Sequence, residues 1–310
     1  MKFIDTHCHV FPHHKFLTSN KIIETKKKLP FEDWIKGKID RFSNIVHKAQ
    51  TNLPDNQWVD KYKLKDKLLE FGSLGTIIQH DHIDLLENLK RNKVDKCLLI
   101  AHPPLLSNEL VMALSIKYKE FYPVVNISEH GPDVKKELKY YISQGAVALK
   151  IHAAADGLSE KNEHYKKLLT VANQKSLPVI IHTGALEVPF YKVPHYGDAE
   201  IFEEWFSSYK NIKFILAHMN IYKPQIVIDF CKKYENVYTD ISWQSESSIL
   251  HAIDELAGKK IMFGTDWPFV GNNTEVMRKR LVNLFETNKI SSEIFHNIAR
   301  KTAEEVFKLS

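Results

Sequence analysis

The feature that most constrains the fold is a short apolar run, rich in Val and Ile, that recurs and each time ends in a polar residue. Eight runs occur, at residues 2–9, 94–102, 122–128, 146–152, 178–183, 212–218, 237–242 and 260–266. After the second run, successive runs end roughly 24 to 36 residues apart, the length of one strand, one helix and two loops. Such a pattern is typical of a parallel sheet covered by helices on its outer face.

Helix-like stretches lie between the runs, at residues 133–143, 162–174, 201–209 and 224–234, and residues 292–309 predict a last helix that closes the outer ring. Eight strand–helix units in one chain of 310 residues favour a closed (β/α)8 TIM barrel over an open sheet. The first strand is not followed by a GxGxxG turn, which argues against a dinucleotide-binding fold. We therefore predict a single α/β domain over residues 1–310.

One interval breaks this rhythm. About 80 residues separate the first strand from the second, where one helix would need about 20. Residues 11–89 include Trp34 and Trp58 and are too apolar for a bare loop. We interpret them as an inserted helical cap over the barrel mouth that contributes to substrate selection. The alternative is a structural excursion that packs outside the barrel.

Charge and cysteine content limit the kinds of binding partner and the cellular compartment that we expect. The net charge of +5 is spread along the chain and interleaved with acids, which predicts solvated helix faces and no nucleic-acid partner. Three cysteines without a CxxC pair argue against a disulfide framework and fit a reducing compartment. The sequence contains neither a signal-like start nor an 18-residue apolar stretch, so we expect a cytoplasmic protein without a membrane span.

Ionisable residues gather where the predicted strands end. In a barrel of this kind, the carboxyl ends of the strands meet at a shared mouth. Burying ionisable side chains in a hydrophobic core is energetically unfavourable, because each buried imidazole or carboxylate needs a hydrogen-bonding partner. The strand ends carry seven of them: His7, His9, His102, His152, His182, His218 and Asp266.

The first strand carries a pair of metal-ligand candidates. His7 and His9 are two apart, so their side chains face the same side, and Asp5 could orient an imidazole. His182 at the end of strand five adds a third nitrogen, and Asp266 at the end of strand eight adds a carboxylate that can also carry a proton. This set suits Zn²⁺, with Mn²⁺, Fe²⁺ or Co²⁺ as alternatives. The competing interpretation is an interior hydrogen-bonded histidine pair.

The remaining strand ends leave more than one role open. His218 is a base that activates water or, alternatively, a ligand of a second metal. Lys150 and His152 share an inward face, and they bind substrate or, if Lys150 carries a carboxylate on its amine, a second metal. An ordinary buried lysine paired with an acid is the other interpretation. Three further residues are expected to line the pocket, although each could be simple packing: His102, Trp243 and Trp267.

With these residues assembled, the sequence resembles the amidohydrolase superfamily, and within it the amidohydrolase-related (amidohydrolase 2) group that includes aminocarboxymuconate-semialdehyde decarboxylase. The resemblance rests on IDTHCHVF at strand one, ALKIHAAADG at strand four, VIIHTG at strand five, LAHMN at strand six, MFGTDWPF at strand eight and the closing helix NIARKTAEEVFKL. It implies a distorted (β/α)8 barrel and a divalent metal, usually zinc. The ligands that it implies are His7, His9, His182 and Asp266, with His218 acting on the water.

Two departures from the family pattern stand out. Met219 and Asn220 follow the strand-six histidine, where many relatives have Gly-Gly. Of the five arginines, only Arg41 in the insertion could match the arginine with which decarboxylating relatives hold the substrate carboxylate. Relatives often form dimers, so a homodimer is open here too.

The leading functional hypothesis is hydrolysis of a C–N or C–O bond in a small metabolite by a metal-activated water, with Asp266 receiving the proton. The alternative is a non-oxidative decarboxylase of an aromatic or unsaturated acid, which a cationic residue beside the metal would favour. A non-catalytic metal-binding or scaffolding protein is a third class. It is disfavoured because the histidines exceed what structural zinc requires.

Overall fold

The structure is a computed structural model that describes residues 2–11, 80–103, 105–186, 191–269 and 273–309. Within these residues, eight strands form one parallel sheet in the order in which they occur along the chain. All eight strand predictions are confirmed, and each strand ends within or shortly before the polar residues that close its run. The strands are β1 Phe3–Cys8, β2 Val94–Ile100, β3 Phe121–Val125, β4 Ala148–Ile151, β5 Val179–His182, β6 Phe214–Ala217, β7 Val237–Asp240 and β8 Ile261–Met262.

The barrel is closed by hydrogen bonds between β1 and the segment after β8. The backbone N–H of Thr6 donates to the carbonyl of Phe263 at 2.9 Å, and that of Asp266 donates to the carbonyl of His7 at 2.8 Å. His9 continues the pairing with a 2.7 Å bond to the carbonyl of Trp267. The predicted TIM barrel is thereby confirmed, and its closing seam carries four of the predicted site residues.

The helices cover the outer face of the sheet, as the alternating pattern predicts. They are α1 His82–Arg91, α2 Asn108–Lys117, α3 Val134–Ser143, α4 Ala153–Asp156, α5 Glu163–Lys175, α6 Glu203–Ser208, α7 Pro224–Lys233, α8 Glu246–Leu256, α9 Asn273–Glu286, α10 Ser292–His296 and α11 Thr302–Phe307. The stretch predicted as a helix at residues 201–209 is part 3-10 helix (Ala199–Phe202) and part α6. No helix among the described residues is both long enough and apolar enough to pass through a bilayer.

The last helix differs from its expected place in the outer ring. Ala303, Val306 and Phe307 belong to the apolar cluster inside the barrel, together with Tyr122 and Tyr238 near the starts of their strands. Helix α11 therefore plugs the amino-terminal end of the barrel. The physical reason is that the inward-facing side chains at that end would otherwise be exposed to water.

The predicted insertion begins and ends at one place on the barrel. The backbone N–H of Phe11 donates to the carbonyl of His80 at 2.7 Å, so the chain leaves and returns at adjacent points. Residues 12–79 lie outside the described residues, so their role as a cap stays a prediction. The end of the range assigned to the insertion falls in α1, which Asp81 caps and whose Leu85 and Leu89 are buried.

Candidate active site

The polar strand ends converge on one pocket of about 570 Å³, a volume that includes its open mouth. Its lining combines histidines, one lysine and one carboxylate with an apolar wall. The lining residues are His7, His9, His102, Lys150, His152, His182, Leu186, Tyr191, His218, Ile221, Trp243, Asp266 and Phe269. The strand-end residues that were predicted to meet at the barrel mouth therefore all line this pocket.

His7, His9 and Asp266 form a compact buried group whose ligand atoms all lie within 4.8 Å of one another. Oδ1 of Asp266 is 3.5 Å from Nε2 of His7 and 3.3 Å from Nε2 of His9. Nδ1 of His9 is 3.0 Å from the carbonyl oxygen of Ile100, which can only accept. His9 therefore carries its proton on Nδ1 and presents the lone pair of Nε2 to Asp266.

Asp5 does not orient an imidazole, contrary to the sequence-based expectation. Its Oδ1 accepts from the backbone N–H groups of His7 and Thr265, both at 3.1 Å, and its Oδ2 accepts from the Thr265 hydroxyl at 2.6 Å. Asp5 thus ties β1 to the segment after β8, and burial raises its pKa to about 7 against the hydrogen bond from Thr265. The carboxylate that contacts the His7 ring is Asp240, whose Oδ2 is 3.2 Å from His7 Nδ1.

His218 lies at the start of an unusual turn. Its φ is 63°, and the next three residues have φ values of 47°, 57° and 44°, all in the left-handed region that favours glycine. Such backbone costs about 1 kcal/mol or more per residue and persists only where its surroundings hold it. Gln244 holds this turn, because its Nε2 donates to the carbonyls of His218 at 2.6 Å and Ile221 at 3.0 Å.

The departure from Gly-Gly falls in this turn, at Met219 and Asn220. The Met219 side chain is fully buried. Asn220 has a side chain that tolerates left-handed backbone, and its Oδ1 accepts from the N–H of Ala199 at 3.2 Å. Its own N–H donates to Oγ1 of Thr183 at 3.1 Å. Packing and hydrogen bonds thus stabilise a conformation that glycine would adopt without strain.

His182 lines the same pocket on its far side. Its Nε2 is 3.3 Å from the carbonyl oxygen of Gly184 and 3.0 Å from the Tyr191 hydroxyl, and its nitrogens are not grouped with those of His7 and His9. The ring stacks on His152 at 4.0 Å between centroids. Nδ1 of His152 accepts from the N–H of Ala155 at 3.3 Å, so its proton lies on Nε2.

Lys150 is buried and lies beside the His7–His9–Asp266 group. Its Nζ is 3.2 Å from Nε2 of His7, and a lysine amine can only donate when it is protonated. Burial lowers its pKa to about 8, and the charges of Asp266 and Asp240 oppose that shift. The charges of Asp266 and Asp240 favour the ammonium form, which would give the pocket a positive charge.

Most imidazoles of the pocket have lowered pKa values, which favours their neutral form at pH 7. Burial, reinforced by neighbouring positive groups, holds the pKa values of four of them well below the ordinary range: His7, His152, His182 and His218. Burial likewise raises the pKa of the Tyr191 hydroxyl, so it keeps its proton. Neutral imidazole is the form that binds metals or accepts protons.

The other predicted residues are placed as follows. Trp243 lies on the pocket wall, and its indole N–H donates to Oδ2 of Asp266 at 2.7 Å. Trp267 is buried with its ring 5.1 Å from that of His80. Arg41 lies outside the described residues. Arg280, in α9, is buried and donates to the Gln244 carbonyl.

Sequence reasoning missed three residues that shape the site. Asp240 ends strand seven and Ser242 follows two positions later, so the rule that drew attention to the other strand ends applied to both. Tyr191 lies in a loop after β5 and carries no comparable signal.

The family model described as amidohydrolase matches residues 99–309, more than half of the chain. The chain belongs to the amidohydrolase family. A search of curated proteins finds no match. The predicted resemblance is thus confirmed at the level of the family, and the chain is an amidohydrolase-family enzyme whose buried His/Asp groups are candidates for a metal site.

Solved structures share the barrel. An uncharacterised TIM-barrel protein from Bordetella bronchiseptica superposes with a TM-score of 0.67 at 14% identity, covering 99% of both chains. 5-Carboxyvanillate decarboxylase from Sphingomonas paucimobilis gives 0.63 at 13% identity, covering 100% of this chain and 99% of that one. The Novosphingobium aromaticivorans enzyme, with manganese and 4-hydroxy-3-methoxy-5-nitrobenzoic acid, gives 0.62 at 12% identity, covering 99% and 96%. At such identities the likeness establishes the fold.

Further matches include 2,6-dihydroxybenzoate decarboxylase, a putative 2-pyrone-4,6-dicarboxylic acid hydrolase from Pseudomonas putida and 4-oxalomesaconate hydratase from Rhodopseudomonas palustris. Decarboxylases are therefore frequent among these structures, but they share the barrel with enzymes of other reaction classes.

The donor atoms of this chain fit the divalent ion that the family implies. Nδ1 of His7 and of His9 each contact an acceptor, Asp240 and the Ile100 carbonyl, so both rings direct Nε2 toward Asp266. Ligands that are oriented by outer hydrogen bonds in this way are typical of histidine–carboxylate metal sites.

Proposed function

We propose that the chain is a metal-dependent non-oxidative decarboxylase of an aromatic or unsaturated carboxylic acid. The observation that carries the proposal is the position of Lys150, whose ammonium lies in the pocket wall 3.2 Å from Nε2 of His7. A cation beside the metal ligands would hold a substrate carboxylate next to the ion. In this role Lys150 replaces the arginine for which the sequence offers only Arg41.

The apolar part of the pocket lining supports a flat, apolar substrate. Leu186, Ile221, Trp243 and Phe269 provide its apolar lining. Aromatic and aliphatic side chains of this kind would pack against a ring while the charged end faces Lys150. The similar structure with bound manganese also holds a substituted benzoic acid, which agrees with this class of ligand.

The proposed reaction breaks the bond between the carboxyl carbon and the ring or alkene carbon. The electron pair stays on the ring or alkene carbon, CO₂ leaves, and that carbon takes a proton that Asp266 or Nε2 of His218 has first accepted from solvent. When bound, the divalent ion would act as a Lewis acid that withdraws electron density from the substrate. Lys150 binds the carboxylate, Trp243 positions Asp266, and His152 offers its Nε2 proton to a substrate oxygen.

The proposed ligands are His7, His9, Asp266 and His182, whose Nε2 faces the Gly184 carbonyl at 3.3 Å and would have to turn and give up its proton to bind the ion. Zn²⁺ suits three nitrogens and one carboxylate, and Mn²⁺ has support from the similar structure that contains it. A second ion would require a carboxylated Lys150 next to His152. Substrate contacts by His102 and Trp267, a small-molecule partner, a homodimer and a cytoplasmic location remain predictions.

A second candidate is hydrolysis of a C–N or C–O bond. It is favoured by the contact of His218 Nδ1 with the Ser242 hydroxyl at 2.7 Å. This contact fits a lone pair on Nε2 in the pocket, and a base that activates water needs such a lone pair. The putative hydrolase among the similar structures agrees with this alternative.

The test is a product assay on the purified chain, loaded in parallel with Zn²⁺ and with Mn²⁺. One set of substrates contains hydroxybenzoates and unsaturated acids, and CO₂ release is measured; the other contains lactones, amides and esters of similar size. We expect CO₂ release from at least one acid and none from the Asp266→Asn variant. Turnover confined to the second set would replace the decarboxylase proposal with the hydrolase.

A further inference from the structure

Asp240, at the end of β7, is fully buried and contacts two histidines of the site by separate routes. Its Oδ2 is 3.2 Å from Nδ1 of His7. Its Oδ1 accepts from the backbone N–H groups of Ser242 at 2.9 Å and His218 at 3.3 Å, and also from the Ser242 hydroxyl. The backbone donors require that Oδ1 accept hydrogen bonds.

The first route fixes the tautomer of His7. Because the Asp240 carboxylate accepts at Oδ2, the His7 proton lies on Nδ1 and the lone pair lies on Nε2. An independent contact agrees with this assignment: the amine of Lys150, a donor, is 3.2 Å from the same Nε2. The nitrogen that faces Asp266 therefore carries the lone pair with which His7 would bind a metal.

The second route runs through Ser242 to His218. A hydroxyl has one proton, and that of Ser242 is given to Oδ1 of Asp240. Oγ of Ser242 must then accept in its contact with Nδ1 of His218, which is 2.7 Å away. His218 consequently carries its proton on Nδ1 and presents the lone pair of Nε2 to the pocket that it lines.

We propose that Asp240 is a positioning residue shared by the two halves of the site. Directly, it sets the tautomer of the metal-binding His7, and through Ser242 it sets the tautomer of the acid–base residue His218. One carboxylate would thus couple metal affinity to proton transfer. The inference rests on the proposed function for the roles of His7 and His218, but not for their tautomers.

Two variants separate the routes. In Asp240→Asn, the amide oxygen can still accept at the Oδ1 position, so the amide NH₂ faces Nδ1 of His7 and drives its proton to Nε2. In Ser242→Ala, the contact of Asp240 with His7 remains, and the contact of the Ser242 hydroxyl with His218 is lost. Thr239→Val is the matched control, because this neighbouring hydroxyl donates to the Leu216 carbonyl at 2.6 Å and touches neither ring.

The readouts are imidazole ¹⁵N shifts of ¹⁵N-histidine-labelled, chelator-treated protein, and Zn²⁺ affinity by titration with a competing chelator. We expect Asp240→Asn to move the His7 proton to Nε2 and to weaken Zn²⁺ binding by about 10- to 100-fold. In Ser242→Ala, His218 should lose its single tautomer while Zn²⁺ affinity stays within about twofold of the wild type, a change too small for a lost ligand contact. Thr239→Val should lower Tm but leave both histidine tautomers and the Zn²⁺ affinity unchanged.

Wild-type His7 or His218 found with its proton on Nε2 would overturn the proposal. A folded Asp240→Asn variant with wild-type Zn²⁺ affinity would also overturn it. The same holds for a Ser242→Ala variant in which the His218 tautomer is unchanged. If Asp240→Asn does not fold, the Ser242→Ala result alone decides. None of these measurements needs a substrate, so failure of the decarboxylation assay leaves their outcome untouched.

Discussion

Nε2 of His9 lies 3.3 Å from Oδ1 of Asp266, although the two residues stand near opposite ends of the chain. The closing seam of the barrel produces this contact, since the N–H of His9 donates to the carbonyl of Trp267, the residue after Asp266. Formation of the proposed metal-binding group is therefore tied to closure of the barrel.

Asp266→Asn should preserve the fold and lower kcat by at least about 100-fold, the usual effect of losing a proton-transfer group. Oδ2 of Asp266 accepts from the Trp243 indole, so the new amide would have to keep its oxygen there and turn its NH₂ toward the two histidines. The measurement is kcat alongside the circular dichroism melt. An undiminished rate in the folded variant would remove Asp266 from the mechanism.

Lys150→Met should lower kcat/KM for the acid substrate by about 10- to 100-fold, the value of a hydrogen bond to a charged group. The change retains the length of the side chain and removes a buried charge, so we expect no loss of stability. Lys96→Met is the matched control, because that amine contacts the Tyr122 hydroxyl at 2.6 Å, outside the pocket. Equal losses in both variants would contradict the role of Lys150.

The strands and the strand-end residues could be predicted because apolar periodicity and a polar terminus are local signals. The choice between Asp5 and Asp240 could not, since both are carboxylates near His7 and only the closed barrel decides which one meets its ring. Helix α11 is a similar case, because its apolar face would suit either the outer ring or the open end of the barrel. The left-handed turn at Met219 is held by contacts distant in sequence, such as those of Gln244.

The three cysteines should resist a thiol reagent at pH 8 in the folded protein and react fully in denaturant. Cys8, Cys97 and Cys231 are all buried, and burial raises the pKa of each thiol, that of Cys231 to about 12. The thiolate is the reactive form, so the reaction is slowed both by the burial of the thiols and by their raised pKa values. Rapid labelling of native protein would contradict the described packing of β1, β2 and α7.

Ala257→Gly should raise the free energy of unfolding by about 1 kcal/mol. Ala257 is exposed and ends α8 with a φ of 51°, a left-handed conformation that costs an alanine more than a glycine. Lys139→Gly, at an exposed position inside α3, is the control and should lower stability by about 1 kcal/mol. Urea unfolding measures both changes, and a loss of stability in Ala257→Gly would contradict the left-handed cap.

The central claim is that His7, His9 and Asp266 hold a catalytic divalent ion, and metal content tests it most directly. Protein purified without chelator and analysed by plasma mass spectrometry should contain about one divalent ion per chain, as a single His/carboxylate site requires. The ion should be lost, together with activity, in the His7→Ala/His9→Ala double variant. Wild-type protein that contains no divalent ion, and that binds none when Zn²⁺ or Mn²⁺ is added back, would contradict the account.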